Sequence, residues 1–233
     1  MINLYQKELK YYLNNAPGYI VIIMFAVFVN FLFMKDLFVG GSASLRPLFM
    51  VLPWLMLIFI PAVAMRTLSE EKRINTIEIL LTLPISEAQI VISKFLALLT
   101  VFCIGLLLTA AIPVSLAVIA KLYIPEVLVG YSGVMLLGAT FISVSMFFSS
   151  LTKNQVIAML SSVIVLFLLS VISTDFVSSV LPKTVQDALV YFSPLYHLEN
   201  FVNGVIDLRS VFYFLSFTVI FLFLTIIDLE KRD

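Results

Sequence analysis

The chain has 233 residues, of which 62% are hydrophobic and 12% charged, with a mean hydropathy of +1.13. A soluble domain carries roughly 25% charged residues, so this composition excludes an ordinary soluble fold and indicates an integral membrane protein. Fourteen Lys and Arg balance fourteen Asp and Glu, and a net charge of zero implies no nucleic-acid partner.

Residues 2–15 place Ile2, Tyr5, Leu9, Tyr12 and Leu13 on one helical face, with Lys7, Glu8, Lys10 and Asn14 largely opposite. This pattern predicts an N-terminal helix lying in the membrane interface before Pro17 starts the first span. A spanning helix needs roughly 20 apolar residues, because the hydrocarbon core is about 30 Å thick and a helix rises about 1.5 Å per residue. Six stretches qualify, at 18–34, 47–65, 95–120, 127–151, 155–174 and 210–227, and none contains Asp, Glu, Lys, Arg or His. With their flanks they predict an all-α polytopic membrane protein of six transmembrane helices, at about 18–38, 47–67, 92–120, 127–151, 155–176 and 210–228. The first stretch follows a polar lead-in and lacks a small-residue cleavage site, so it reads as a retained span.

Between spans two and three lies the one long charged loop, residues 66–94, opening with Arg66-Thr67-Leu68-Ser69-Glu70-Glu71-Lys72-Arg73. Asn75 followed by Glu78 resembles a capping pair, which predicts a short helix from Thr76 to Leu83 that Pro84 ends. Ser86 with Gln89 starts a second helix that carries Ile90 and Val91 through Lys94 into the third span. The short helix would present Ile77, Leu80 and Leu81 beside Glu78, and an apolar ridge of this kind in water calls for a covering partner.

Pro53, Pro61 and Pro113 fall inside spans two and three and should bend them. The lone Cys103 sits in an apolar stretch, where it forms no internal disulfide and reads as a small packing residue. Small residues mark helix contacts: Gly130, Gly133, Gly138, Ser143, Ser145, Ser149 and Ser150 in the fourth span, and Ser161, Ser162, Ser170 and Ser173 in the fifth. The loop at 175–209 predicts two short amphipathic helices at the opposite membrane surface. One is capped by Thr184 and carries Val185, Ala188, Leu189 and Phe192. The other follows Pro194, with Leu195, Leu198, Phe201, Val202 and Val205 as its stripe and Gly204 at its end. Asp187, His197 and Glu199 match no metal-ligand spacing and read as interfacial polar residues.

Lys and Arg counts set the orientation, since cationic loops resist translocation. Lys7, Lys10, Arg66, Lys72, Arg73, Lys94, Lys153, Lys231 and Arg232 fall on one side, and Lys35, Arg46, Lys121, Lys183 and Arg209 on the other. Nine against five places both termini and the 66–94 loop in the cytoplasm.

The run from Met65 to Arg73, followed by Thr76-Ile77-Glu78-Ile79-Leu80-Leu81-Thr82-Leu83-Pro84-Ile85-Ser86, then Gln89-Ile90-Val91 and Lys94-Phe95, resembles the cytoplasmic signature of type-2 ABC transporter permeases. Within that group the chain is most similar to the small six-span subunits associated with gliding motility and with nitrous-oxide-reductase maturation. The stretches Ser193-Pro194-Leu195-Tyr196-His197 and Asn203-Gly204-Val205-Ile206-Asp207-Leu208-Arg209 resemble the segment before the last span in the gliding-associated members, so the likeness covers nearly the whole chain. The resemblance implies a single permease domain over 1–233 in the inner membrane. It also implies a coupling helix, with Thr76, Ile77, Glu78, Leu80, Leu81 and Leu83 docking a separate ATPase. Arg66, Glu70, Glu71 and Arg73 would form a polar cluster at the lower end of span two that transmits nucleotide-driven motion. The implied partners are two copies of the ATPase and a second permease subunit, identical or different, which in such systems can carry a large periplasmic domain.

No G-x-x-x-x-G-K-[ST] motif occurs in this sequence, so ATP and Mg²⁺ would be bound by the partner ATPase and no cofactor by this chain. Three function classes follow: an ATP-driven permease, working as an exporter by resemblance; an ion-coupled transporter or channel; and a membrane scaffold within a larger complex. The second class usually requires ionisable groups within the membrane, which the six apolar stretches lack.

Overall fold

The computed structural model describes residues 2–40, 44–76, 85–119, 123–173 and 189–231, and among these the chain is helical with no strand. The elements are α1 (Ile2–Asn14), α2 (Ala16–Gly40), α3 (Arg46–Ala64), α4 (Arg66–Arg73), α5 (Glu87–Thr109), α6 (Ala111–Ile119), α7 (Ile124–Leu151), α8 (Gln155–Val171), α9 (Pro194–Val202) and α10 (Leu208–Glu230).

Five stretches are long and apolar enough to cross a membrane: Gly18–Lys35, Arg46–Arg73, Glu87–Ala117, Ile124–Leu151 and Leu208–Glu230. The sixth expected span, α8, is a shorter apolar helix of 17 residues. At about 1.5 Å per residue it reaches roughly 25 Å, under the roughly 30 Å of a hydrocarbon core. It starts near α4 and runs towards α9, where Ser173, just past its end, accepts a hydrogen bond from Ser193 at 2.8 Å.

The bundle is built around α7, which packs against α3, α5, α8, α9 and α10. Its small residues make this possible, because in lipid no hydrophobic drive joins apolar helices and close backbone approach supplies packing in its place. A Cβ at Gly130 would lie 2.5 Å from the Phe49 ring of α3; one at Gly138 would overlap Phe102 of α5, and one at Gly133 would overlap Phe201 of α9. Ser143, Ser145, Ser149, Ser150, Ser162 and Ser170 are buried, as the small-residue pattern predicts, while Ser161 and Ser173 are half-buried. Thr140 reaches across to the Phe214 carbonyl and the Thr218 hydroxyl of α10, each at 3.3 Å. By contrast, α2 and α10 turn large apolar side chains outward, among them Val27, Phe31, Phe212, Val219 and Phe223, as lipid-facing surfaces require.

Several expectations need correction. The charged run 66–73 is not a loop: it is helix α4, separated from α3 by a turn at Met65 alone, so the second span continues to Arg73. The third span begins early, at Glu87, and breaks at Ala110. Pro113 explains the break, since its ring leaves the Thr109 carbonyl without the usual i+4 donor; Ala110 N–H instead bonds Leu107 O at 3.1 Å and Val114 N–H bonds Ala110 O at 3.0 Å. Pro53 and Pro61 are accommodated within α3.

Of the predicted stripe on α1, Tyr12 is buried and Tyr5 and Leu9 are half-buried, but the fully buried face is Leu4, Glu8 and Tyr12. Ile2 is 71% exposed and Leu13 40% exposed, because a charge on the neighbouring helix selects which face turns inward. Of the two short helices predicted before the last span, α9 forms with Leu198, Phe201 and Val202 buried and Gly204 in the left-handed region at φ 77°, but Val205 is exposed. Of the helix predicted after Thr184, residues up to 188 lie outside the described residues; Leu189 and Val190 are helical and lead into a turn, with Phe192 exposed.

Candidate functional site

Three cations and four anions from four helices meet where α1, the α3–α4 junction, the start of α5 and the ends of α7 and α10 converge. Lys94 of α5 is the hub. Its side chain is 1% exposed, and its Nζ donates to Glu8 Oε1 of α1 at 2.9 Å and to Glu71 Oε1 of α4 at 2.7 Å. Lys72, also 1% exposed, donates to Asp228 Oδ2 of α10 at 2.9 Å and to the Ser150 carbonyl of α7. Arg73 completes the group with a peripheral, largely exposed contact to Glu70 at 3.4 Å, a geometry that contributes little. Thus α4 is tied to α1 and α5 through Glu71 and to α7 and α10 through Lys72. The successive residues Glu71 and Lys72 point to different neighbours because adjacent helical positions lie about 100° apart.

The start of α4 is held by another helix. A helix leaves its first N–H groups without partners, and here the Ser149 hydroxyl of α7 accepts from Leu68 N–H at 3.2 Å and Ser69 N–H at 3.1 Å while donating to Met65 O at 2.9 Å. Thr67 donates to Ala64 O at 2.6 Å, which leaves its oxygen to accept from Tyr12 OH at 3.1 Å. Burial pushes the Tyr12 phenol well above its ordinary range, so it stays a neutral donor. Tyr11 is raised too, chiefly by burial and then by the Glu70 carboxylate that accepts its proton at 3.1 Å.

The end of α4 departs from expectation. Asn75 has φ 54° and follows the C-cap Ile74, whose N–H bonds Glu70 O at 3.0 Å, so it terminates α4 in the left-handed conformation that Asn tolerates. An N-cap has extended backbone, which Asn75 does not have, and its expected partner Glu78 lies outside the described residues. Thr76 is half-buried and its hydroxyl makes a long 3.5 Å contact with Glu71 O. Ile77, Glu78, Leu80, Leu81 and Leu83 lie outside the described residues. Across that segment the second cap holds: Ser86, with extended backbone, accepts from Gln89 N–H at 3.4 Å and opens α5.

Of the four residues expected in the polar cluster, Glu71 is central, Glu70 and Arg73 are peripheral, and Arg66 lies half-buried beside Tyr11 with its Nε unpartnered. Glu8, Lys72, Lys94, Asp228 and Ser149 complete the joint; the sequence places Ser149 at a helix contact and Lys72 and Lys94 within the signature, but pairs none of them with a counter-charge. The available signal was a lone charge within an apolar run, as in Ile90-Val91-Ile92-Ser93-Lys94-Phe95 and Thr225-Ile226-Ile227-Asp228-Leu229, since a buried charge demands a counter-ion.

At the far end, His197 stacks on Tyr213 with ring centroids 4.1 Å apart, and both of its nitrogens are engaged. The Tyr191 carbonyl, 3.0 Å from Nε2, can only accept, which puts the proton there and leaves Nδ1 to accept from Ser210 Oγ at 3.1 Å. Burial lowers the His197 pKa and favours this neutral ring.

The family model described as ABC-2 family transporter protein matches residues 2–233. No curated protein matches the chain.

Proposed function

The chain belongs to the ABC-2 transporter family as a membrane subunit, and from that premise we propose that its α4–α5 connection docks a separate ATPase whose nucleotide-driven motion is relayed into the bundle. The observation that carries this reading is the charge joint. Lys94 holds Glu8 and Glu71 together at the root of the connection, and Lys72 ties the same short helix to the last span. A push on α4 or on the start of α5 is therefore shared among α1, α7 and α10. Membrane subunits of this family are generally not enzymes themselves, and ATP with Mg²⁺ belongs to the partner.

On this reading Thr76, Ile77, Glu78, Leu80, Leu81 and Leu83 are the docking residues, and Arg66, Glu70, Glu71 and Arg73 carry the motion onward. The chain forms one permease domain with α8 as its sixth span. Two permease subunits, identical or different, assemble with two ATPases in the inner membrane, and transport runs outward.

Co-purification tests the docking assignment. Leu80→Asp places an unpaired carboxylate in an apolar interface, a cost large enough to separate the complex while the subunit still inserts. With wild type and variant at equal membrane levels, the ATPase should be recovered with wild type and lost with Leu80→Asp. Equal recovery would remove this segment from the interface and favour a scaffold role.

Orientation is tested with Cys103 replaced by Ser. Cysteine at Lys153, exposed on the α7–α8 connection, should be labelled only from the cytoplasm, and cysteine at Arg209, exposed at the start of α10, only from outside. The reverse pattern would overturn both the orientation and the docking site.

A further inference from the structure

Three cavities lie in series from α1 into the bundle between α2 and α3, each sharing wall residues with the next, and we read them as one groove. The first, of about 470 Å³, has the charged side chains Lys7, Arg66, Glu70 and Glu71 and the phenol of Tyr11 among its walls. Tyr11 and Arg66 also line the second, of about 240 Å³, whose remaining walls include Val21, Ala62 and Val63. Val21 and Val63 in turn line the third, a narrow apolar cavity of about 40 Å³ bounded by Phe25, Phe59 and Phe102. The groove therefore grades from ionic to hydrocarbon-like as it climbs from α1 and α4 between α2 and α3.

Two buried atoms in its polar part have no hydrogen-bond partner, and their needs are opposite: Arg66 Nε can only donate and Glu71 Oε2 can only accept. Buried polar groups are nearly always partnered, and charged ones are the costliest to leave unmet. Water would serve both atoms but not the apolar continuation, since cavities lined by hydrocarbon stay dry. The ligand that matches the whole groove has an anion for Arg66, an N–H cation for Glu71 and a hydrocarbon chain.

We propose that this groove holds a resident phospholipid of the ethanolamine type. Its phosphate faces Arg66 and Lys7, its primary ammonium faces Glu71 and Glu70, and one acyl chain runs past Val21 and Val63. A choline headgroup has no N–H to give Glu71, and a glycerol headgroup brings no cation to a site where Glu8, Glu70 and Glu71 gather. The assignment needs only the membrane-spanning bundle and not the docking of an ATPase, so the two readings fail separately.

The test is native mass spectrometry of the delipidated full chain in mild detergent, titrated with phosphatidylethanolamine, phosphatidylcholine or phosphatidylglycerol of the same acyl chains. The ethanolamine lipid should bind at about tenfold lower concentration than the other two, the size expected for one charge-assisted hydrogen bond. Arg66→Gln should raise the concentration needed by about tenfold, and so should Val63→Phe, which fills the apolar part and leaves every charge and the Lys94 joint in place. Soluble glycerophosphoethanolamine, with the headgroup but no chains, should fail to compete. Equal binding of all three lipids, no lipid retention, unchanged binding by Val63→Phe, or competition by the soluble headgroup would each overturn the proposal.

Discussion

Lys94→Met should lower the unfolding stability of the protein in detergent by about 3–5 kcal/mol, among the largest losses available to a single substitution here. The lysine side chain is 1% exposed and its Nζ lies within 2.9 Å of Glu8 Oε1 and 2.7 Å of Glu71 Oε1. Methionine fills much of the same volume, so the loss does not come from a cavity. It comes from two carboxylates left facing each other with no cation between them, one of which, Glu8, is only 9% exposed. The diagnosis is checked by removing the charges together. Lys94→Met combined with Glu8→Met and Glu71→Met exchanges the triad for apolar groups and should recover most of the stability, as buried ion clusters replaced by well-packed apolar side chains commonly do. If the triad also carries motion from the docked ATPase, the triple variant will assemble yet couple hydrolysis to work poorly. A melting midpoint unchanged in Lys94→Met would show that the triad is solvated and not a joint.

This triad marks the limit of what the sequence made legible. The apolar stretches are unmistakable because bilayer thickness imposes a length on them, and their cores match α2, α3, α5, α7 and α10. Caps written in local chemistry are legible too, as Ser86 and Gln89 demonstrate. Long-range pairing is not: Glu8 and Lys94 are 86 positions apart, and nothing local to α1 says that a glutamate, rather than the Ile2 and Leu13 side, turns inward. The same reason explains the misread charged run. Arg66 to Arg73 has the composition of a solvated loop, and it is helical because Ser149 supplies its first N–H groups with an acceptor and Asp228 supplies Lys72 with a counter-ion. Asn75 shows the remaining ambiguity, since the same residue type serves as an N-cap in extended backbone or as a helix stop in left-handed backbone. Only the path of the chain on either side decides, and φ 54° settles it as a stop.

The second large effect is expected at Lys72, whose replacement by Met should cost about 3 kcal/mol, at the lower end of the range for breaking a buried pair. The difference from Lys94 lies in the number of carboxylates affected. Lys72→Met takes its lysine from one, Asp228 at 19% exposed, whereas Lys94→Met takes it from two that face each other, Glu8 at 9% and Glu71 at 20% exposed. Exchanging the two charges, Lys72→Asp with Asp228→Lys, restores opposite signs but not the geometry. Lys72 also donates to the Ser150 carbonyl of α7, and an aspartate in its place has no proton for that carbonyl. The swap should therefore recover part of the loss, with a residual of about 1 kcal/mol for the missing hydrogen bond. Unfolding measurements on the two single variants and the swap give the coupling energy directly. Full recovery would mean that the carbonyl contact contributes nothing, and no recovery would mean that the Lys72–Asp228 attraction is not what holds α4 to α10. In reconstituted complexes the same three proteins separate stability from function. If α10 is moved by α4 through this pair, the single variants will hydrolyse ATP with the partner bound but lose transport, and the swap will regain transport in proportion to its regained coupling energy.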